Sequence, residues 1–291
     1  MLEDSAFRKV SDRVPSSLAK PEDCLAVLSR VTYSPASVTP LKALAADTAA
    51  EPNQFEQWIL LRSALAAIPK LAVFPACAGV KALWAAEAML LTEPASAQTS
   101  IFAIDHVRFR EMARIISLQR FPAGQFHWEL SGLPRMHIPR TSWRRRPHAL
   151  AFIATKLGGF APLIEIHVNA RRRNRLTLTE SEGLRSYFLI AQTLKEQPEV
   201  KGLFATGWLF CESTGRITPQ LAWLREFFLR HGAFVASTGL VPEDTGFRTG
   251  SEERRKLYED GLYRPTDAYV LWPRREMLEW ASRYQAHFAF D

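Results

Sequence analysis

The chain has 291 residues, with 37 lysines and arginines against 30 aspartates and glutamates, and a formal net charge of +7. Hydrophobic residues make up 47% of it, which excludes a disordered chain and supplies core for one large domain or two modest ones. The basic excess favours acidic partners: phosphate-bearing cofactors, acidic carrier proteins, nucleic acid or an anionic membrane surface.

The cysteines and the first residues indicate a compartment. Cys24, Cys77 and Cys211 are odd in number, far apart and without the spacing of metal ligands. This argues against a disulfide framework and a zinc site, so we expect a reducing cytoplasm and no metal cofactor. The first five residues are acidic and no apolar run follows closely, which predicts no secretory signal.

Residues 1–98 are predicted to form a mainly helical N-terminal region, and residues 99–291 an α/β domain. The first part is rich in serine, proline and alanine, which predicts short helices with loose connections.

Residues 71–91 are the stretch with the strongest membrane character. They carry two charges, Lys81 and Glu87, over a length that could nearly span a bilayer. Charges near a bilayer centre are costly, and Pro69 and Pro75 interrupt the pattern. We therefore predict ordinary packed helices rather than a spanning or membrane-surface helix, so a membrane partner is not expected.

The α/β domain is predicted to begin with a strand at residues 101–104. A helix follows, in which Phe109, Ala113 and Ile116 share one face. A further strand is predicted at residues 126–130.

A short arginine run, Arg144 to Arg146, lies between Trp143 and His148 in a turn-rich, basic segment. Arginines beside aromatic rings are typical of contacts to phosphates and bases. A short charge run is also typical of a solvated loop, and we favour that interpretation.

The next apolar run, residues 149–155, is predicted to be a strand that turns through Gly158 and Gly159 into a second one. That second strand is Leu163–Val168, whose alternation gives it one apolar face. Its polar face carries Glu165 and His167.

A helix is predicted to start near Glu180, because Thr179 and Glu182 have the spacing of a reciprocal capping box. Its apolar stripe has helical spacing, and Pro198 ends it. The stripe consists of Leu184, Phe188, Ala191 and Leu194.

The rest of the chain continues the alternation. Residues 200–210 are apolar on both faces, as in a central strand covered on each side. Thr218 and Pro219 predict the start of a helix that ends at Gly232, with a strand beginning at Phe234. A last strand at 268–272 and a helix at 276–284 are also predicted. This order predicts an α/β fold with a mixed central sheet flanked by helices.

The order of elements, and the pattern of residues 220–234, resemble the Gcn5-related N-acetyltransferase (GNAT) superfamily. That stretch ends in Phe228, Gly232 and Phe234 and is similar to the superfamily's fourth helix, which commonly closes with an aromatic residue, a glycine and a further aromatic. The resemblance implies a GNAT-like sheet in which a strand, a cofactor-binding helix, a splayed strand and a second helix follow one another. It also implies transfer of an acyl group from a thioester donor to an amine.

One segment departs from the superfamily's pattern. A basic residue and closely spaced glycines normally hold the donor's pyrophosphate at the start of the central helix. Here that position has abundant arginine, a single glycine, Gly183, and two acids in the first turn, which would compete with phosphate. The predicted donor-binding residues are Arg171, Arg172, Arg173, Arg175 and Gly183. The resemblance to branches that use carrier proteins extends the expected donor to an acyl-CoA or an acyl carrier protein thioester.

Acyl transfer to an amine needs a base for the amine proton and a proton donor for the departing thiolate. Glu165 or His167 is the predicted base, and Tyr258 or Tyr263 the predicted proton donor. Each also has a structural interpretation: the histidine packs, the glutamate pairs with an arginine, and the tyrosines are half-buried packing residues.

Cys211, at the end of the predicted central strand, is a candidate acyl-bearing nucleophile. Without an adjacent base, an inert buried thiol is the favoured interpretation. Two functions follow from the sequence: an acyltransferase, or a non-enzymatic α/β protein that binds nucleic acid or another acidic partner through its arginine clusters.

Overall fold

The computed structural model describes residues 14, 20–32, 34–46, 54–94, 99–169, 178–239 and 251–288. The chain divides into two compact units, Met1–Ala123 and Gly124–Asp291. A functional domain that begins at residue 99 stays a prediction.

The first unit is mainly helical, as predicted. Its helices are α1 (Pro21–Leu28), α2 (Thr39–Ala46), α3 (Gln54–Val73), α4 (Ala78–Met89), α5 (Thr99–Phe102) and α6 (Val107–Ile116), and it ends in a short strand, β1 (Phe121–Ala123). Two buried side chains tie the helices to neighbouring backbone. Trp84 Nε1 donates to the Ile115 carbonyl oxygen at 2.7 Å, and Gln57 Nε2 donates to the Leu91 carbonyl oxygen at 2.7 Å. Within the described ranges, no helix combines the length and apolar character needed to cross a bilayer.

The second unit is an α/β domain. Its elements are β2 (Phe126–Ser131), α7 (His137–Arg140), α8 (Arg146–Phe152), β3 (Leu163–Val168), α9 (Glu180–Lys195), β4 (Gly202–Gly207), α10 (Glu212–Ile217), α11 (Ala222–Arg230), β5 (Phe234–Ser237), α12 (Glu252–Glu259), β6 (Ala268–Pro273) and α13 (Arg274–Phe288). The strands lie in the order β2-β3-β4-β6-β5, and every pair is antiparallel except β3 with β4. The predicted α/β fold class with a mixed sheet is therefore confirmed.

The two faces of this sheet have different contents. On one face, Phe126 stacks on Tyr187 of α9 with ring centroids 5.1 Å apart, and Tyr187 also contacts Trp272 and two phenylalanines of α11. The opposite face is partly covered by the chain between β2 and β3, through a buried cluster that includes Ile138, Ala149 and Phe204. The apolar residues of that face therefore lie beneath the covering chain.

Two predicted strands are helices instead. Residues 101–104 fall on α5 and the turn after it, with Phe102 fully buried. Residues 149–155 lie in α8 and a following wide helical turn, because Ala149, Ile153 and Leu157 recur every four residues and bury one side. A short apolar run fits both the two-residue period of a strand and the 3.6-residue period of a helix, so the sequence did not distinguish them.

The predicted hairpin at the glycines is consequently wrong. Gly158 has a φ of 76°, a left-handed conformation that suits glycine at a helix end, and the Gly159 amide donates to the Ile153 carbonyl oxygen at 3.0 Å. Gly158 therefore ends a helix rather than turning one strand into the next.

The elements after β3 are confirmed with shifted details. Helix α9 begins at Glu180, but Thr179 makes no capping bond with its side chain, so the reciprocal box does not form. Strand β4 ends at Gly207 and gives way to a 3-10 turn, Trp208–Phe210. A 3-10 turn at Pro219–Leu221 precedes α11.

Candidate functional site

Four titratable side chains lie on one face of the β2–β3 pair. The antiparallel register places Glu129 opposite Glu165 and His127 opposite His167. Residues that are directly opposite, or two apart on one strand, point to the same side of a sheet. The register therefore builds a two-by-two grid of two glutamates and two histidines.

The grid is largely withdrawn from solvent. His127 is 1% exposed and Glu129 is 8% exposed. His167 Nε2 lies 3.5 Å from Glu129 Oε1 and 3.7 Å from Glu165 Oε1. One imidazole nitrogen thus faces a carboxylate on its own strand and another on the neighbouring strand.

The electrostatics of this grid favour a positive charge between the carboxylates. Like charges directly opposite on paired strands destabilise the pair, and low solvent access strengthens the repulsion. A protonated His167, a bound amine or a cation would each offset it. One donor atom from each of Glu129, Glu165 and His167 lies within 4.8 Å of the others, so this group could also hold a metal ion.

The grid borders a place where the sheet opens. The parallel pairing of β3 with β4 runs from Ile164 opposite Leu203 to Ile166 opposite Ala205. Both strands continue beyond it, β3 through His167 and β4 to Gly207, without further pairing to each other among the described residues. Ligands of α/β sheets bind at the carboxyl ends of parallel strands, so His167 lies beside the expected crevice.

A second polar group lies on the same face across β4 and β6. Tyr269 hydroxyl is 2.9 Å from the Thr141 hydroxyl, and the His137 ring lies 5.5 Å from the Tyr269 ring and 5.6 Å from the Phe204 ring. Burial, followed by the charge of Arg140, lowers the pKa of His137. Burial is also the main reason that the pKa of Tyr269 is raised. These groups therefore stay neutral at pH 7.

The predicted site residues fall in different places. Glu165 and His167 lie together, as their positions two apart on one strand required. Tyr258 lies on α12, packs against the buried Trp208 and Tyr263 pair, and has Arg264 over its ring at 5.1 Å. It thus belongs to a hydrophobic cluster of its own.

The predicted donor-binding residues are only partly described. Gly183 lies in the first turn of α9, where an added Cβ would collide with the Trp223 ring. Its lack of a side chain has a packing explanation. Arg171, Arg172, Arg173 and Arg175 lie outside the described residues.

Cys211 precedes α10 in a hydroxyl-rich setting. Its sulfur lies 3.1 Å from Ser213 Oγ and 3.4 Å from Thr266 Oγ1. Burial by itself would raise the pKa of this thiol, but hydrogen bonds from the two hydroxyl groups lower the pKa overall. These contacts add no general base, which leaves the nucleophile hypothesis without the partner that it needs.

Glu129 and His127 are the residues that sequence reasoning missed. The predicted strand at 126–130 alternates large apolar residues with these two polar ones, which was a usable signal. Their partnership with β3 depended on the register, and local sequence does not state which strands pair.

Comparisons with known proteins give a loose structural likeness. No protein-family model and no curated protein sequence matches the chain. The fold is similar to a crystal structure of an acyltransferase in complex with decanoyl-CoA and teicoplanin, with a TM-score of 0.44, 11% identity and coverage of 92% of this chain and 76% of that one. An acyltransferase in complex with decanoyl-CoA is similar at a TM-score of 0.38 and 10% identity, with 92% and 93% coverage. At these values the likeness carries no argument about activity.

Proposed function

We propose that the protein transfers an acyl group from a thioester donor to an amine acceptor, with His167 as the base. The observation that carries this proposal is the position of the Glu129, Glu165 and His167 cluster beside the opening between β3 and β4. A base at the edge of a crevice, held between two carboxylates, suits the activation of a cationic amine.

The chemistry follows from these contacts. The two carboxylates attract a protonated amine and, once it has lost its proton, stabilise the imidazolium that His167 becomes. The amine nitrogen attacks the thioester carbonyl carbon to form a tetrahedral intermediate. The C–S bond then breaks, the nitrogen loses its second proton as the amide forms, and the thiolate leaves as a thiol by taking up one proton, so the products are the amide, the thiol and the protonated His167. Tyr258 stays the candidate donor of that proton from sequence alone.

The resemblance to the GNAT superfamily supports this assignment through topology. The succession of β3, α9, β4 and, after the short α10, α11 follows the order of strand, helix, splayed strand and helix that the resemblance implies, and the pairing of β3 with β4 is limited to three residue pairs. The resemblance implies an acyl-CoA or an acylated carrier protein as the donor, and Arg171, Arg172, Arg173, Arg175 and Gly183 remain the residues predicted from sequence to bind its phosphate. The acceptor is proposed only as an amine.

The test is an assay of thiol release with acyl-CoA donors of increasing chain length and an acylated carrier protein, each with a panel of amines. His167→Ala should lower kcat/KM by about one hundred-fold to ten-thousand-fold, the usual contribution of a general base. Glu129→Gln should lower it by a smaller factor, because it removes a charge that stabilises the imidazolium and leaves the base in place. A donor that binds the folded state should also raise the Tm.

The matched controls are His148→Ala and Glu199→Gln, which alter an exposed histidine and an exposed glutamate of the same unit. They should keep full activity. Thiol release that survives His167→Ala at the original rate, or no release with any donor from folded protein, contradicts the proposal.

A further inference from the structure

The positive charge of this protein is concentrated in one segment. Between Glu129 and Glu165 the sequence has no acidic residue and six basic ones: Arg135, Arg140, Arg144, Arg145, Arg146 and Lys156. The net charge of the whole chain is +7, so the segment accounts for nearly all of it, and the acidic and basic residues of the remaining chain nearly cancel.

The inner side of the segment is fixed to the sheet. Ile138 and Ala149 are buried in the cluster that contains Phe204. Arg145 serves the same purpose, because its Nη1 donates to the Val235 carbonyl oxygen of β5 at 3.2 Å. Arg146 ties α8 to α7 within the segment, because its Nη2 donates to the Pro139 carbonyl oxygen at 2.7 Å. The segment is therefore an ordered, two-sided layer.

The exposed residues of the segment include both arginines and large apolar side chains. Arg135, Arg140 and Arg144 are exposed and form no salt bridge with any described residue, although Arg144 lies over the Trp143 ring at 5.3 Å. Among them, Met136 is 60% exposed, Trp143 73% and Leu150 46%. We call these six residues the arginine surface.

We propose that the arginine surface docks this protein on the face of an anionic lipid bilayer. Arginines near such a surface bind its phosphates, while a tryptophan and aliphatic side chains enter the boundary between headgroups and acyl chains. Exposing three large apolar side chains to water is unfavourable, so a segment that only contacts solvent would not favour them. Nucleic acid would engage the arginines and the tryptophan ring, but it would leave Met136 and Leu150 without a role.

The docking is peripheral and goes beyond the proposed acyl transfer, because it needs neither donor nor acceptor. It differs from the sequence-based expectation, which favoured a solvated loop here and no membrane partner. That expectation was based on spanning potential in residues 71–91, whereas the arginine surface consists of residues in α7 and α8, in the turn between them and immediately before α7.

The test is co-sedimentation of the full chain with vesicles of phosphatidylcholine alone and of phosphatidylcholine mixed with phosphatidylglycerol. The protein should sediment with the anionic vesicles, less so at high salt, and stay in solution with the neutral ones. The triple variant Arg135→Gln, Arg140→Gln, Arg144→Gln should bind about one hundred-fold more weakly, since each arginine contributes roughly five-fold. Trp143→Ala should weaken binding by roughly ten-fold, because the variant loses the aromatic area that docking would bury in the bilayer.

A control variant with the same change in net charge distinguishes binding through the arginine surface from a general effect of net charge on vesicle binding. Lys195→Gln, Arg264→Gln, Arg283→Gln removes three exposed basic groups elsewhere in the second unit. It should bind vesicles within a few-fold of the original protein. All replaced residues are exposed, so far-ultraviolet circular dichroism and Tm should be unchanged.

Several results would overturn the proposal. Equal binding to neutral and anionic vesicles, or equal loss in the control variant, would contradict it. A third such result is tight binding of a short DNA duplex that the arginine-surface variant abolishes, together with no vesicle binding, because the partner would then be nucleic acid. Since no assay of acyl transfer is involved, failure here leaves the proposed activity untouched, and the reverse also holds.

Discussion

The two faces of the β2–β3 pair use the same backbone for different purposes. One face carries Phe126 and Trp128, which are buried beneath α9 with its central Tyr187. The other carries Glu129 and His167 within 3.5 Å of each other. Adjacent residues of one strand therefore lie in a packed aromatic core and in a charged grid.

The difference shows how a strand can separate stability from chemistry. Burial of aromatic rings stabilises the fold through apolar area and close packing. Two opposed carboxylates reduce stability unless something positive lies between them. Substitutions on the first face should therefore change the free energy of unfolding, and substitutions on the second should change activity.

The largest effect is expected on the aromatic face. Trp272 is fully buried, contacts Tyr187, Phe227 and Phe228 with centroids 6.2, 5.2 and 5.5 Å away, and its indole N–H donates to the His231 carbonyl oxygen at 2.8 Å. Trp272→Ala should lower the free energy of unfolding by about 3–5 kcal/mol in urea titrations. Trp143→Ala, on an exposed tryptophan, should change it by less than about 0.5 kcal/mol. Similar losses for both would contradict this assignment of the core.

A smaller loss is expected where α9 meets α11. Replacing a helical glycine by alanine normally stabilises a helix by about 1 kcal/mol. At Gly183 the new methyl group would collide with the buried Trp223 ring, and overpacking of this kind costs about 1–3 kcal/mol. Gly183→Ala should therefore destabilise the protein.

A double-mutant cycle identifies the cause of that loss. In a Trp223→Leu background the same Gly183→Ala change should cost less or become stabilising, because the ring that it meets is gone. An unchanged cost in that background would show that the collision with Trp223 is not the reason.

The core of the second unit was largely predictable from the sequence. Strand β3 and helix α9 were predicted with their observed starts, because alternation, helical spacing and Pro198 all indicated the same boundaries. Local agreement of this kind is what specifies an element. The strand predicted at 149–155 failed because a run of seven apolar and small residues also fits two turns of a helix that packs on one side.

Two of the three residues in the candidate cluster were predictable from the sequence. Glu165 and His167 share a face of one strand, and period-2 alternation is a local property. Glu129 joins them only through the register of β2 with β3, a long-range pairing set by how the whole sheet closes. Thr266, which contacts Cys211, and Thr141, which contacts Tyr269, likewise come from distant segments.

On the polar face, Glu129→Gln should separate stability from activity. Removing one of two opposed charges relieves a cross-strand repulsion that is typically about 0.2–1 kcal/mol. The free energy of unfolding should thus stay level or rise slightly, while the proposed acyl transfer should fall. Urea titration and the thiol-release assay on one preparation would show this. A loss of more than about 1 kcal/mol would mean that Glu129 holds the fold together through its partners.

The smallest expected effect is a pH dependence that arises beside the grid. Burial and the charge of Arg140 lower the pKa of His137 in the folded protein. As pH falls below the ordinary histidine value of about 6.5, the unfolded chain takes up this proton more readily, so stability is present above that pH and is lost below it. The free energy of unfolding should therefore be smaller at about pH 5.5 than at about pH 7.5.

The source of that dependence can be assigned by substitution. His137→Gln removes the titrating group and should flatten part of the change with pH. Part should remain, because burial also lowers the pKa of His231, with added effects of Arg283 and Arg230. His137→Gln combined with His231→Gln should flatten it further. If the double variant kept the full pH dependence, neither histidine would be its origin.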